Sequence, residues 1–247
     1  MHSSKTAIVI PARYGSTRLP GKPLIRINNK PIIQWVYERA IQSKHADIIL
    51  VATDDKNIFD AVKAFGGEVV MTSHEHNCGS NRIAEVIKSD TSIDIVVNVQ
   101  GDEPLIEPDS IDHSISLLKN NLQADVSTLI RVINDKHEVL NPNVVKTVID
   151  NEGYALYFSR SPIPFERNAN ESPYYAHIGL YGYRRESLLK MTELPQSKLE
   201  KAESLEQLRA LQNGMKIVTS IVDYKPVGID TEEDIIKFKE ILSSSSL

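Results

Sequence analysis

The sequence predicts an α/β protein built on a doubly wound, mainly parallel sheet with a small embedded lobe. Three observations lead there. Residues 7–10, Ala-Ile-Val-Ile, are a continuous apolar run, as a strand covered by helices on both faces requires. Strand-like and helix-like patterns then alternate as far as residue 99, the signature of β-α-β crossovers. Between the first strand and the first helix lies a long loop, residues 11–23, carrying two glycines, three prolines, two arginines and a lysine.

Taken in order, Ile32, Ile33, Val36, Tyr37 and Ala40 share one helical face. A strand at 48–52, a helix at 58–65, a strand at 68–71, a helix at 83–88 and a strand at 95–99 follow. In such sheets ligands bind beyond the carboxyl ends of the strands, so the loops after residues 10, 52, 71 and 99 are expected to converge on one cleft. Beyond residue 105 the pattern is mixed, with a helix at 110–120 and strands at 126–132, 144–149 and 155–159. Pro162 and Pro164 punctuate a polar excursion that ends at Pro173. Residues 174–183 read as a β segment, with Ile178, Leu180 and aromatics alternating with His177 and glycines. Helices at 185–191 and 204–213 follow, the second stopped by Gly214 as a C-terminal cap. A strand at 217–222, a helix at 232–242 and a tail at 243–246 expected to fray complete the chain. With no internal repeat or sustained heptad, residues 1–247 read as a single domain whose smaller lobe occupies roughly 153–200.

At 247 residues, 41% hydrophobic and 25% charged, the chain can bury a real core. A net charge of −5 and a pI near 5.8 give no global positive field to recruit nucleic acid. No apolar run approaches the roughly 20 residues needed to cross a bilayer. The single cysteine, Cys78, excludes an intramolecular disulfide, and with no basic-then-apolar leader a cytoplasmic home is expected. Any polyanion must therefore be held by local positive charge.

The loop 11–23 offers that charge. A nucleoside triphosphate can be gripped by backbone N–H groups, arginine forks and a lysine point charge. Gly15 and Gly21 permit close backbone approach, Arg13 and Arg18 can pair with phosphate oxygens, and Lys22 can neutralise charge on a leaving pyrophosphate. The loop matches neither the Walker pattern nor the dinucleotide fingerprint, which disfavours a dehydrogenase, and the plainer alternative is a basic surface loop. Gly101-Asp102-Glu103-Pro104 sets Asp102 just past an apolar strand, where a carboxylate could hold Mg²⁺. Asp230 in Gly228-Ile229-Asp230-Thr231 offers a second carboxylate. It could equally cap the helix that follows, although Thr231 can take that role. Glu103 reads as a structural or rim residue.

The string PARYGSTRLPGKPL resembles the nucleotide-binding signature of sugar nucleotidyltransferases, and its wording resembles the Kdo cytidylyltransferases, or CMP-Kdo synthetases, with likeness along nearly the whole chain. The resemblance implies a nucleotide-diphospho-sugar transferase-like fold and transfer of CMP from CTP to the anomeric C2 hydroxyl of Kdo, releasing pyrophosphate, for lipopolysaccharide synthesis. It implies Mg²⁺ on Asp102 and Asp230, a homodimer, and a catalytic set of Arg13, Lys22, Asp102 and Asp230. Nucleotide contacts would come from Ala12, Arg13, Gly15, Ser16, Arg18, Lys22, Ser80 and Gln100. Sugar contacts would come from Arg82, Gln100, Arg160, His177, Tyr181, Glu206 and Gln207, carried by the strings GSNR, ALYFSR, HIGLYGY and ESLEQLR. Read without the resemblance, His177 is a structural histidine and Glu206 and Gln207 a solvated helix face.

Family members usually read G-T-[DE]-R where this chain has Ser80 and Asn81, which puts polar detail of that turn in question. Cys78 is not read as a nucleophile, because the transfer forms no covalent enzyme intermediate. His74, His76 and Cys78 lack the further ligands of a zinc site. The aromatic segment 174–183 is a candidate dimer contact. The rivals are a cytidylyltransferase for 8-amino-Kdo or a sialic acid, a glycosyltransferase, and a non-catalytic nucleotide-binding domain. With CTP, Mg²⁺ and Kdo, the Kdo reading predicts pyrophosphate and its rivals predict none.

Overall fold

Ala7, Ile8, Val9 and Ile10 are wholly buried inside β1, Lys5–Ala12, as their uninterrupted apolar character requires. The computed structural model describes residues 4–15, 19–76, 78–168 and 171–244. The chain divides into two compact units, Met1–Asp112 with Pro226–Leu247, and His113–Lys225. Residues 153–200, expected as an embedded lobe, lie within the second unit.

In the first unit a 3₁₀ turn, Lys22–Leu24, follows the loop after β1. A short ribbon then forms from β2, Arg26–Ile27, and β3, Lys30–Pro31. It turns through Asn28 and Asn29 at φ 50° and 64°, the left-handed pair that a two-residue hairpin demands and Asn tolerates. α1, Ile32–Ala40, buries Ile32, Ile33, Val36 and Ala40, the face expected from sequence. β4, Ile48–Thr53, leads to α2, Lys56–Ala64, whose N-terminus is capped by Asp55 accepting from the backbone of Asn57 and Ile58. β5, Val69–Met71, α3, Gly79–Ser89, and β6, Ile93–Asn98, continue the alternation. β1 pairs in parallel with both β4 and β6, and β4 with β5. The order β6-β1-β4-β5 therefore sets the carboxyl ends of four strands along one edge.

α4, Pro108–Asn120, carries the chain into the second unit. There β7, Val126–Ile133, is followed by α5, Lys136–Leu140, a helix the sequence reading did not anticipate, which Asp135 caps. β8, Lys146–Ile149, pairs antiparallel with β9, Ala155–Ser159. β10, Tyr174–Arg184, runs antiparallel to β7 and pairs with β8 through Tyr175 and Ala176. The segment read as a candidate dimer contact therefore has backbone partners within its own unit.

α6, Arg185–Glu193, comes next. α7, Lys198–Glu203, which the sequence reading did not anticipate, ends at Ser204 in the left-handed conformation, and the helix expected at 204–213 is present as α8, Gln207–Gln212. Ser197 and Glu200 form a reciprocal capping box that starts α7. β11, Ile217–Ile221, runs parallel to β7. α9, Glu232–Ser244, returns to the first unit and takes in Ser243 and Ser244, which had been expected to fray. Its Phe238 packs with Ile27, Ile32 and Ile229 in a small core beside the ribbon.

Candidate active site

The loop after β1 closes on itself. Gly21, at φ 67°, donates its N–H to Tyr14 O at 3.0 Å, and a Cβ on Gly21 would come within 3.2 Å of the Tyr14 ring. Closure delivers Lys22 to the first position of the 3₁₀ turn. Its Nζ donates to Asp102 Oδ2 at 2.5 Å and to Asp230 Oδ1 at 3.0 Å. Three residues from distant parts of the sequence thus meet at one point.

The backbone explains how. Ile229 N donates to Asp102 O at 2.9 Å, tying the segment before α9 to the loop after β6. Ile229 is anchored in the small core by Phe238 and Ile32. Asp230 does not cap α9. Thr231 Oγ1 accepts from Asp234 N at 3.3 Å, and the Asp234 carboxylate accepts from the N–H groups of Asp230 and Thr231 at 3.1 and 3.0 Å. This reciprocal cap leaves the Asp230 carboxylate to Lys22. Two hard oxygen donors converging on a positive charge suit a Mg²⁺ ion, which takes one or two carboxylates and completes its shell from phosphate and water.

Around this point opens a cleft of about 510 Å³, within the roughly 300–1,000 Å³ typical of small-molecule sites. Ala12, Arg13, Gly15, Lys22, Gln100, Asp102 and Asp230 all line it, as do His76, Cys78 and Gly79 from the loop after β5. The sequence reading gave His76 and Cys78 no role, whereas Gly79 opens the GSNR string it did read. Their signal was topological, since a loop following a parallel strand belongs at this edge. Cys78 and Gly79 place the N-terminus of α3 at the cleft, where backbone N–H groups and the helix dipole favour an anion. Ser16 and Arg18 lie outside the described residues.

Arg82 also lines the cleft, but its guanidinium is occupied. It is 3% exposed, pairs with Asp54 Oδ2 at 2.9 Å and donates to Thr72 Oγ1. It thereby joins the loop after β4 to the loop after β5. Ser80 is buried in the first turn of α3. Glu103 is buried too, and burial first, with the neighbouring Asp102 second, pushes its carboxyl up to about 8.

The remaining sequence-predicted residues lie in the second unit. Arg160 spends its fork on backbone carbonyls: Nε donates to Glu203 O at 2.7 Å and Nη1 to Pro142 O at 3.0 Å. Glu206 and Gln207 open α8, and Gln207 Nε2 is buried without a hydrogen-bond partner among the described residues. The rings of His177 and Tyr181 pack at 5.2 Å between centroids, tilted by 42°, and the Phe158 ring packs edge-on to the imidazole at 5.1 Å. That burial pushes the His177 imidazole down to about 3, so the ring is neutral at physiological pH. Burial, with the Glu206 charge added, raises the Tyr181 phenol.

A cytidylyltransferase family model matches residues 7–217. A 3-deoxy-manno-octulosonate cytidylyltransferase of Thermodesulfovibrio yellowstonii is 49% identical, covering 98% of this chain and 99% of that protein. An 8-amino-3,8-dideoxy-manno-octulosonate cytidylyltransferase of Shewanella frigidimarina is also 49% identical, over 94% of this chain and 96% of its own. The solved structure of a CMP:2-keto-3-deoxy-manno-octonic acid synthetase complexed with CTP superposes with a TM-score of 0.93 at 44% identity, covering 98% of this chain and 99% of that one. With the parallel sheet, the cationic turn and the paired aspartates in place, the chain belongs to the cytidylyltransferase family and falls among its 3-deoxy-manno-octulosonate members.

Proposed function

We propose that this enzyme transfers CMP from CTP to the anomeric C2 hydroxyl of Kdo, releasing pyrophosphate, as a step in lipopolysaccharide synthesis. One observation carries the reading: the Lys22 ammonium sits between the Asp102 and Asp230 carboxylates inside a cleft at the carboxyl edge of the sheet. Asp102 and Asp230 would hold Mg²⁺, which when bound offsets triphosphate charge and makes a sugar hydroxyl easier to deprotonate. Lys22, exchanged onto the phosphates, would balance charge on the departing pyrophosphate together with Arg13. The amino end of α3 would receive a phosphate oxygen. Positioning and charge neutralisation supply most of the acceleration in such a displacement, and no covalent enzyme intermediate is needed.

On the sugar side, Gln207 Nε2 is a buried donor that lacks an acceptor, and the neutral His177 and protonated Tyr181 are suited to hydroxyls. Arg82 and Arg160 are assigned to holding walls in shape, since carbonyls and Asp54 already occupy their forks.

The assay is pyrophosphate release with CTP and Mg²⁺ over a panel of Kdo, 8-amino-Kdo and a sialic acid, with EDTA as control. Release with Kdo, abolished by EDTA, is expected. Release with 8-amino-Kdo alone would transfer the assignment to that acid, the reading favoured by the Shewanella relative. No release with any acid would overturn it. We also propose a cytoplasmic homodimer, in keeping with a chain whose described residues include no helix long and apolar enough to cross a membrane. Sedimentation analysis tests the dimer.

A further inference from the structure

β10 is broken in register between Ile178 and Tyr181: Ile178 lies opposite Leu129, but Tyr181 lies opposite Thr128, so Gly179 and Leu180 are extra. In a regular strand two residues four apart are separated by roughly 13 Å. Here the bulge brings the rings of His177 and Tyr181 to 5.2 Å. The fully buried Thr128 side chain sits at the centre of the irregularity. Its Oγ1 lies 3.0 Å from Ile178 O, 2.9 Å from Leu180 O and 3.0 Å from His177 Nε2.

A hydroxyl has one hydrogen to give and two lone pairs to receive, and a carbonyl oxygen can only accept. The Thr128 hydrogen is therefore taken by the two carbonyls of the bulge. If His177 Nε2 were also a lone pair, three acceptors would compete for one hydrogen in a buried setting. The arrangement is satisfied only when Nε2 carries hydrogen and donates to Thr128. Packing against Phe158 and Tyr181 pushes the imidazole down to about 3, which disfavours a ring carrying both protons.

We infer that Thr128 is a positioning residue for sugar recognition: it pins the bulge and fixes His177 as the Nε2–H tautomer, leaving Nδ1 as an acceptor for a hydroxyl of the sugar acid. Nδ1 has no hydrogen-bond partner among the described residues. In this state His177 takes a hydroxyl donor and rejects a carboxylate, so it selects the polyhydroxy portion of the substrate. The inference rests on the proposed function for the identity of the ligand and on the Thr128 geometry, with the ring packing that keeps the imidazole neutral, for the tautomer.

The test is a long-range ¹H–¹⁵N spectrum of the full chain labelled with [¹⁵N]histidine, the His177 signals being identified by their loss in His177→Asn. Protonated Nε2 with bare Nδ1 is expected, and a ring protonated at Nδ1 overturns the inference. Thr128→Val should let an Nδ1–H population appear and raise KM for the sugar acid about tenfold, equivalent to about one hydrogen bond, with KM for CTP unchanged. Thr128→Ser should restore both. A pure Nε2–H state in a folded Thr128→Val variant also overturns the role of Thr128. If Thr128→Val fails to fold, the wild-type spectrum and the Thr128→Ser kinetics decide alone. Should the spectrum be as expected while CTP and Kdo yield no pyrophosphate, the function proposal falls and the tautomer assignment stands.

Discussion

Lys22 Nζ lies 2.5 Å from Asp102 Oδ2, although the two residues are 80 positions apart in sequence. The same nitrogen reaches Asp230, 208 positions away. One ammonium thus bridges two carboxylates, which leaves a net charge of −1 at this point.

Removing the negative charge at one side of this arrangement should disable the enzyme without unfolding it. Asp102→Asn is expected to lower kcat about 10²–10³-fold, the scale of losing one group that stabilises charge in a transition state. The melting temperature should move little. A pyrophosphate assay beside a thermal melt checks both, and full-rate turnover would end the role assigned to Asp102.

Removing the ammonium leaves two carboxylates facing each other. Lys22→Met in EDTA should be destabilised by about 1 kcal/mol, or about 2–4 °C in melting temperature for a chain of this size. Solvent limits the effect, because the Asp230 side chain is 43% exposed. Mg²⁺ should stabilise this variant more than the wild type. Equal Mg²⁺ shifts in the two proteins would contradict a shared position for ammonium and metal.

Gly101 permits the loop after β6 to approach the end of β1 closely. A Cβ there would lie 2.9 Å from the Pro11 backbone oxygen, which cannot move without displacing the end of β1. Gly101→Ala is therefore expected to destabilise by about 1–3 kcal/mol and to raise KM for CTP. Denaturant unfolding and initial rates would show whether the two effects appear together.

Within the second unit, Arg209 holds Glu200 through Nε to Oε2 at 2.8 Å and Nη2 to Oε1 at 2.5 Å, both side chains being almost fully buried. Arg209→Met would strand the Glu200 carboxylate, at about 3–5 kcal/mol of stability. The double variant with Glu200→Leu should recover much of that loss. Failure of the double variant to recover would show that packing, not the stranded charge, dominates.

His177 provides a pH signature. Burial lowers its imidazole from 6.5 to about 3, so between those values the unfolded chain binds a proton that the folded chain refuses. This contribution to stability is complete above pH 6.5 and is lost progressively as pH falls toward 3. His177→Asn should flatten the pH dependence of unfolding over that window. An unchanged slope would place the His177 proton uptake elsewhere.

Much of this molecule was legible as residues in order. The apolar run of β1 and the alternating patterns to residue 99 determined a parallel sheet, because a strand buried on both faces leaves no room for polar alternation. Sheet direction then pointed to a ligand edge, and a cationic turn, Asp102 after a strand and Asp230 ahead of a helix marked the candidate site. The Asn28-Asn29 turn and the capping box from Ser197 to Glu200 were also present as local signals, and they went unread.

What only the tertiary structure decided is which charged and polar groups are already engaged. Arg82 and Arg160 look like substrate forks in sequence, but Asp54 claims the first and the carbonyls of Glu203 and Pro142 claim the second. Asp230 could have been a helix cap until Thr231 and Asp234 were seen to cap each other. The role of Thr128 depends on a bulge in another strand. Hydrogen bonds and ion pairs act over about 3 Å, and folding sets which distant groups come within that range. Periodicity along the chain reports burial and direction, whereas partner choice is settled only when the chain has closed.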